Sequence, residues 1–258
     1  MPRLVDTHAH LDEVDDVDSV LEAARRVGVI GVVAVGSDWQ SNVSILEISR
    51  RHRSFVYPAL GLHPWRLAGL EPSEIDENLR FIEQNVASAV AVGEVGLDYD
   101  KRLVRIASKE LQRDVLGGLL DIARRYDRPA IVHSRYAWRD SFDLVAGGRT
   151  GKAVFHWFTG FSSVLRDIIG SGYFISATPA AEYHEEHRRA VRETPLDSLL
   201  LETDSPVSYG RETRYRAEPA DVVRSLGAAA QLKEVDEAAV AEQTTRNATI
   251  LFPLDQTL

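Results

Sequence analysis

The chain has 258 residues, with 30 Lys and Arg against 39 Asp and Glu, a formal net charge of −9 and no cysteine. That length suits one large domain or two small ones and buries a substantial core. The missing thiols exclude disulfides and thiolate chemistry and leave any metal to nitrogen and oxygen ligands, while the acidic balance argues against a passive, charge-driven nucleic-acid binder.

Residues 4–8 read as a short strand. Side chains two apart on a strand share a face, so Asp6, His8 and His10 should line up towards its C-terminal end. Two imidazoles at that spacing can chelate one metal ion, and Asp6 could orient a ring through its other nitrogen. Taken alone, a His-x-His is equally two unrelated histidines on an edge strand. Residues 12–27 read as an acidic loop and a helix, and 29–35 as a second strand too uniformly apolar to be wet on one face. Helices are expected over 40–51, 72–86, 106–126, 136–146, 162–169 and 181–193. Strands are expected over 55–62, 89–95, 129–133, 153–156, 173–177 and 199–202. Beyond Pro219 come two more helices, broken around Lys233.

Strands separated by helical segments imply parallel pairing with right-handed crossovers. The order predicts a (β/α)8 TIM-type barrel in a single domain, residues 1–258, with a doubly wound open sheet as the runner-up. Met1 runs almost directly into the first strand without a signal-peptide pattern, and no apolar run reaches membrane-spanning length. The expectation is a cytoplasmic protein with no membrane contact and no obligate protein partner.

Polar residues gather where the strands end, which is where barrel active sites are built. His8 and His10 end the first strand, His63 the third, Glu94 the fourth, His133 the fifth and His156 the sixth, with Glu202 and Asp204 at the eighth. The other three histidines, His52, His184 and His187, read as solvated surface.

These residues stand in motifs that resemble the TatD family of metal-dependent deoxyribonucleases, within the amidohydrolase-like barrels. The motifs are Asp6-Thr7-His8-Ala9-His10-Leu11, Gly61-Leu62-His63-Pro64 and Gly93-Glu94-Val95-Gly96-Leu97-Asp98-Tyr99. They continue with His133-Ser134-Arg135, His156-Trp157-Phe158-Thr159-Gly160 and Glu202-Thr203-Asp204-Ser205-Pro206. Glu218-Pro219-Ala220 and Asn247-Ala248 also match, so the resemblance spans nearly the whole chain. It implies that His8, His10, Glu94, His133, His156 and Asp204 bind one or two divalent ions, Zn, Mn or Mg. It also places His63 and Arg135 on the substrate side.

The residues agree with what the resemblance implies. Glu94 has two oxygens and could bridge two ions, one held with His8, His10 and Asp204, the other with His133 and His156. Related barrels place a carbamylated Lys there, but none of the four lysines falls at an expected strand end. A metal-activated water would attack phosphorus, with Asp204 holding it and taking its proton. Asp6 and Glu202 read as groups behind the ligands. Trp65 and Trp157 could stack a base. The family usually carries an Asn where Ala217 stands, and the basic loop 207–216, with Arg211, Arg214 and Arg216, could grip phosphates. The expected activity is hydrolysis of DNA phosphodiesters. The enzymatic alternative is hydrolysis of a small amide, ester or lactone, and the non-enzymatic one is a binding barrel that has lost its chemistry.

Overall fold

Eight parallel strands pair in chain order, each neighbour being the next in sequence. The computed structural model describes residues 2–148 and 150–254. The strands are β1 (Leu4–Ala9), β2 (Val29–Val35), β3 (Val56–Leu60), β4 (Ala91–Asp98), β5 (Ala130–Arg135), β6 (Ala153–Phe155), β7 (Phe174–Ala177) and β8 (Leu199–Leu201). Between them run α1 (Val17–Arg26), α2 (Trp39–Arg51), α3 (Pro72–Asn85), α4 (Lys101–Val104), α5 (Lys109–Arg125), α6 (Trp138–Gly147), α7 (Ser162–Gly170) and α8 (Glu185–Glu193). After β8 come a short ribbon, β9 (Ser208–Tyr209) with β10 (Tyr215–Arg216), and then α9 (Val222–Lys233) and α10 (Glu237–Leu251). Short side chains start several helices: Asp16, Asp38 and Ser108 accept from the backbone N–H three residues on.

β1 meets the segment that follows β8 through an isolated parallel bridge between Ala9 and Ser205. Asp204 N donates to His8 O at 2.9 Å, and His10 N to Ser205 O at 2.7 Å. The sheet is thus a nearly closed (β/α)8 barrel, and the open-sheet alternative falls away. No helix of the described residues is long and apolar enough to cross a membrane.

Alternation along the strands separates two apolar clusters. Leu4, Val32, Val56, Val132, Phe155 and Leu199 pack outward under the helices. Val5, Val33, Tyr57, Ile131, Val154 and Leu200 face the barrel interior, where Leu251 and Phe252 join them from the end of α10. Each fully buried Val, Leu or Phe contributes roughly 1.5–3 kcal/mol. This apolar floor fills the lower barrel and leaves the C-terminal strand ends for polar groups.

One expectation fails at the β1–β8 seam. A register irregularity between Asp6 and Ala9 breaks the period of two, so Asp6 does not share the face of His8 and His10. Its carboxylate accepts instead from Thr203 Oγ1 at 2.6 Å, Thr203 N at 2.9 Å and His8 N at 3.3 Å. Asp6 therefore orients no imidazole; it ties the end of β8 to β1. Thr7 adds to the seam, donating to Leu201 O at 3.0 Å.

Candidate metal centre

The polar ring follows from the same alternation. Two residues beyond Ile131, Val154 and Leu200, the inward face carries His133, His156 and Glu202, and two beyond Glu202 stands Asp204. Ala59 leads in the same way to Gly61 and His63. A Cβ on Gly61 would lie 2.3 Å from Glu94 O and 2.5 Å from Glu94 N, so only glycine lets the end of β3 pass this close to β4. Asn42 on α2 fixes that glycine, donating to Gly61 O at 2.8 Å and accepting from Gly61 N at 3.0 Å.

The side chains converge on Glu94. Its Oε2 lies 3.5 Å from His8 Nε2 and 3.3 Å from His10 Nε2. Its Oε1 lies 2.8 Å from His156 Nε2, 3.0 Å from His133 Nδ1 and 3.4 Å from His63 Nε2. Asp204 Oδ1 faces the first pair, at 3.5 Å from His8 and 3.6 Å from His10. Two donor sets therefore flank one carboxylate. Within each set ring nitrogens approach to 3.4 Å, His8 Nε2 with His10 Nε2 and His133 Nδ1 with His156 Nε2. Metal–ligand bonds near 2.1 Å put neighbouring ligand atoms about 3.0–3.4 Å apart. The donor atoms fit a divalent ion on either side of Glu94.

Charge makes the same demand. Burial opposes ionisation of Glu94, yet the imidazoles of His63, His156, His8 and His10 outweigh it and hold the carboxyl well below its usual range. Burial presses the imidazoles towards neutrality, but Glu94 and Asp204 push His10 up to about 9. Glu94 and Glu202 likewise raise His156 well above its ordinary value. Burial raises Asp204, with the imidazoles pulling the other way. Buried carboxylates at this density need positive charge beside them, from imidazolium protons or from a cation.

His63 differs from the other rings. It forms a compact triple of donors with Glu94 and His133. Its Nδ1, however, accepts from Trp65 N at 3.1 Å, and burial lowers it to about 4. The one proton of the neutral ring is then on Nε2, which faces Glu94 as a donor and not as a ligand.

Behind the rings stand two carboxylates. His156 Nδ1 lies 3.5 Å from Glu202 Oε1, which also accepts from Trp157 N at 3.1 Å. His133 Nε2 donates to Asp98 Oδ2 at 3.1 Å. Asp98, which the sequence reading left without a role, is fully buried; its Oδ2 also accepts from Trp65 Nε1 at 2.7 Å and its Oδ1 from Asp100 N at 2.8 Å. Both oxygens are needed as acceptors. In Asp98→Asn the new NH2 must face a donor, which unseats His133 or the backbone. The expected outcome is a 10- to 100-fold loss of metal affinity, of order what a lost partner behind a ligand costs. Calorimetric titration of the apoprotein checks it, and unchanged affinity would remove Asp98 from the centre.

The centre opens into a cavity of about 950 Å³, lined among others by Arg66, Arg135, Trp138 and His184. Arg135 is half-exposed at the end of β5, with Nη2 3.3 Å from Asp100 Oδ2. Arg211, Arg214 and Arg216 are not among the lining residues. Arg211 donates to Tyr183 O and Arg216 to Glu13 O, because β9 and β10 fold loop 207–216 into a ribbon. The arginines that line the cavity itself are Arg66 and Arg135. Of the three histidines expected at the surface, His184 is solvated, 43% exposed at the cavity, whereas the His52 ring is 16% exposed against Asp18 and His187 is buried on the inner face of α8 with Ala190 and Val191. His187 Nδ1 donates to Phe158 O at 3.0 Å and its Nε2 accepts from Thr178 N at 3.1 Å, while burial lowers it to about 4. Three lining residues adopt left-handed backbone: Tyr136 (φ 55°), Trp157 (φ 41°) and Asp204 (φ 51°). Such conformations cost of order 1–3 kcal/mol each and gather at sites where geometry matters.

Fold and centre together define a metal-dependent hydrolase barrel. Residues 5–253 match the family model for TatD related DNase, and the chain belongs to that family. Deoxyribonuclease TATDN3 of Homo sapiens is 37% identical, the match covering 97% of this chain and 94% of that protein. The uncharacterized metal-dependent hydrolase TatD of Mycobacterium tuberculosis is 32% identical over 97% of this chain and 98% of that one. The crystal structure of the TatD homologue YJJV from Escherichia coli K12 superposes with a TM-score of 0.87 at 27% identity, covering 97% and 98%.

Proposed function

We propose that this chain is a two-metal phosphodiesterase that cleaves DNA, at ends or in single strands, within one domain of residues 1–258. The observation that carries the reading is the division of labour at Glu94, one oxygen towards His8 and His10 and the other towards His133 and His156. His8, His10 and Asp204 would hold one ion and His133 and His156 the other, with Glu94 shared by both sets. Four imidazoles favour a borderline transition ion such as Zn or Mn over Mg alone. When bound, the metals supply a water acidic enough to attack at neutral pH and offset the charge that builds on the phosphate oxygens.

The chain's own groups do the rest. Asp204 holds the attacking water and accepts its proton. Its left-handed backbone turns the carboxylate back towards His8 and His10. His63, with its Nε2–H towards Glu94, stands on the substrate side of the centre, and Arg135 positions phosphates further along the strand. A nucleic-acid substrate is supported by the named activity of the human relative and by the cavity's size. The cavity of about 950 Å³ is wide enough to admit a nucleotide beside Arg66 and Arg135, although small-molecule pockets of about 300–1,000 Å³ reach the same size.

The test is a metal-by-substrate screen with the parent and Arg135→Ala, on single-stranded DNA, a small activated phosphodiester, and esters and lactones. The parent should cleave both phosphodiesters, strongly only with added metal. Arg135→Ala should weaken the long substrate, spare the small one, and lower the slope of log affinity against log salt by about 0.7, one single-strand phosphate contact. Equal losses on both would put Arg135 at the reacting centre. Turnover of an ester or lactone with no cleavage of nucleic acid would overturn the DNA reading.

A further inference from the structure

We propose that Tyr136, Trp138 and Phe161 form a stacking platform for unpaired nucleobases at the mouth of the cavity, a reading that rests on the phosphodiesterase function above. Tyr136 is 57% and Phe161 65% exposed. Single exposed rings are ordinary, but exposed aromatic surface that is contiguous beside a cavity marks a site of interaction. Both rings flank Trp138, which packs on the core; Tyr136 and Trp138 line the cavity, and Phe161 extends the wall just outside that lining. The Tyr136 and Trp138 ring centroids are 6.1 Å apart, and those of Trp138 and Phe161 5.4 Å, each pair edge-to-face.

The surrounding backbone is shaped for this wall. A Cβ on Gly160 would lie 2.5 Å from Trp138 Cγ, so glycine lets the indole lie flush against the chain. Tyr136 sits in left-handed backbone, a conformation that bulky residues rarely adopt. Next to it the Arg135 guanidinium is 5.3 Å from the Tyr136 ring centroid. A cation thus stands beside aromatic surface at the cavity, the combination with which single-strand binders take phosphates and bases.

The occupant is a base and not another flat apolar group, because the wall is continuous with the cavity that holds the phosphodiester centre. It is an unpaired base, because pairing and stacking within a duplex hide the faces that a protein ring would cover. The indoles named from the sequence fit this role less well. Trp65 is tied to Asp98, and the Trp157 ring centroid lies 5.4 Å from that of buried Tyr209.

The experiment uses the metal-loaded protein with Tyr136→Ala, Phe161→Ala and the pair, and leaves Trp138 in place. Substrates are a single-stranded oligonucleotide, the same strand with abasic sites beside the scissile bond, and bis(p-nitrophenyl) phosphate. The double variant should raise KM on the base-bearing strand about tenfold or more, as expected when stacking on protein rings is lost. Its kcat should hold, and so should its KM on the abasic strand and on the small diester. Tyr136→Phe should behave like the parent, since a face and not a hydroxyl is required. Equal losses on base-bearing and abasic strands, or none on either, overturn the platform while leaving the nuclease reading intact. No cleavage of any oligonucleotide by the parent, with the small diester turned over, overturns the DNA reading and the platform with it.

Discussion

Asp204→Asn should cut turnover by about 10²–10⁴-fold, the range expected when a positioned general base is removed, and should leave the barrel folded. The substitution keeps shape and backbone. Asp204 has φ 51°, and Asn is among the few residues that enter the left-handed region readily. Asp204 N donates to His8 O whatever the side chain, so the β1–β8 seam survives. What is lost is chemistry. An amide cannot take the proton of an attacking water, and its oxygen is a weaker ligand than the carboxylate that faces His8 and His10 at 3.5 and 3.6 Å. Three measurements separate the roles: kcat, metal content, and the melting midpoint in the presence of metal. A variant that melts normally, keeps its metal and turns over at the parent rate would strip Asp204 of its assignment.

The barrel and most of the centre were legible because both rest on short-range periodicity. Apolar runs separated by helical stripes specify parallel pairing, and His133, His156, Glu202 and Asp204 follow their inward-facing strand residues by steps of two. What was not legible depends on pairing between strands. The fourth strand was expected to stop at Val95, before Gly96. It continues to Asp98 because β5 pairs with it, Gly96 opposite His133 and Asp98 opposite Arg135. Carried that far, the period of two would have put Asp98 on the face of Glu94. Asp6 failed in the opposite way, since the local period was right and a register irregularity with β2 overrode it. The aromatic wall was invisible for a third reason. Tyr136 and Phe161 come from different loops, and only the folded chain brings Phe161 beside Trp138.

Glu94→Gln should have the broadest effect on the centre: loss of tight binding of both ions and, with them, of turnover. Among the described residues Glu94 is the carboxylate that touches both imidazole sets, and it is 2% exposed. Gln supplies one oxygen and one NH2, so either His8 and His10 or His133 and His156 would face a donor where they need an acceptor or a cation. Metal analysis after gel filtration should fall from two ions per chain towards one or none. Two tightly held ions in the variant would sink the bridging role. The metal-free proteins give an independent check through pH. Glu94 is held below its ordinary range, so its charged form adds stability above the unfolded value near 4.5, lost as pH falls through the folded value. His10 is pushed up to about 9, so its contribution is complete below the unfolded value near 6.5 and is lost as pH rises through about 9. Both terms are present together between about pH 4.5 and 6.5. In chelator the parent should therefore exceed Glu94→Gln in melting temperature most in that window, with the gap closing towards pH 9. A gap that stays constant from pH 5 to 9 would show that Glu94 and the imidazoles are not electrostatically linked in the way the geometry requires.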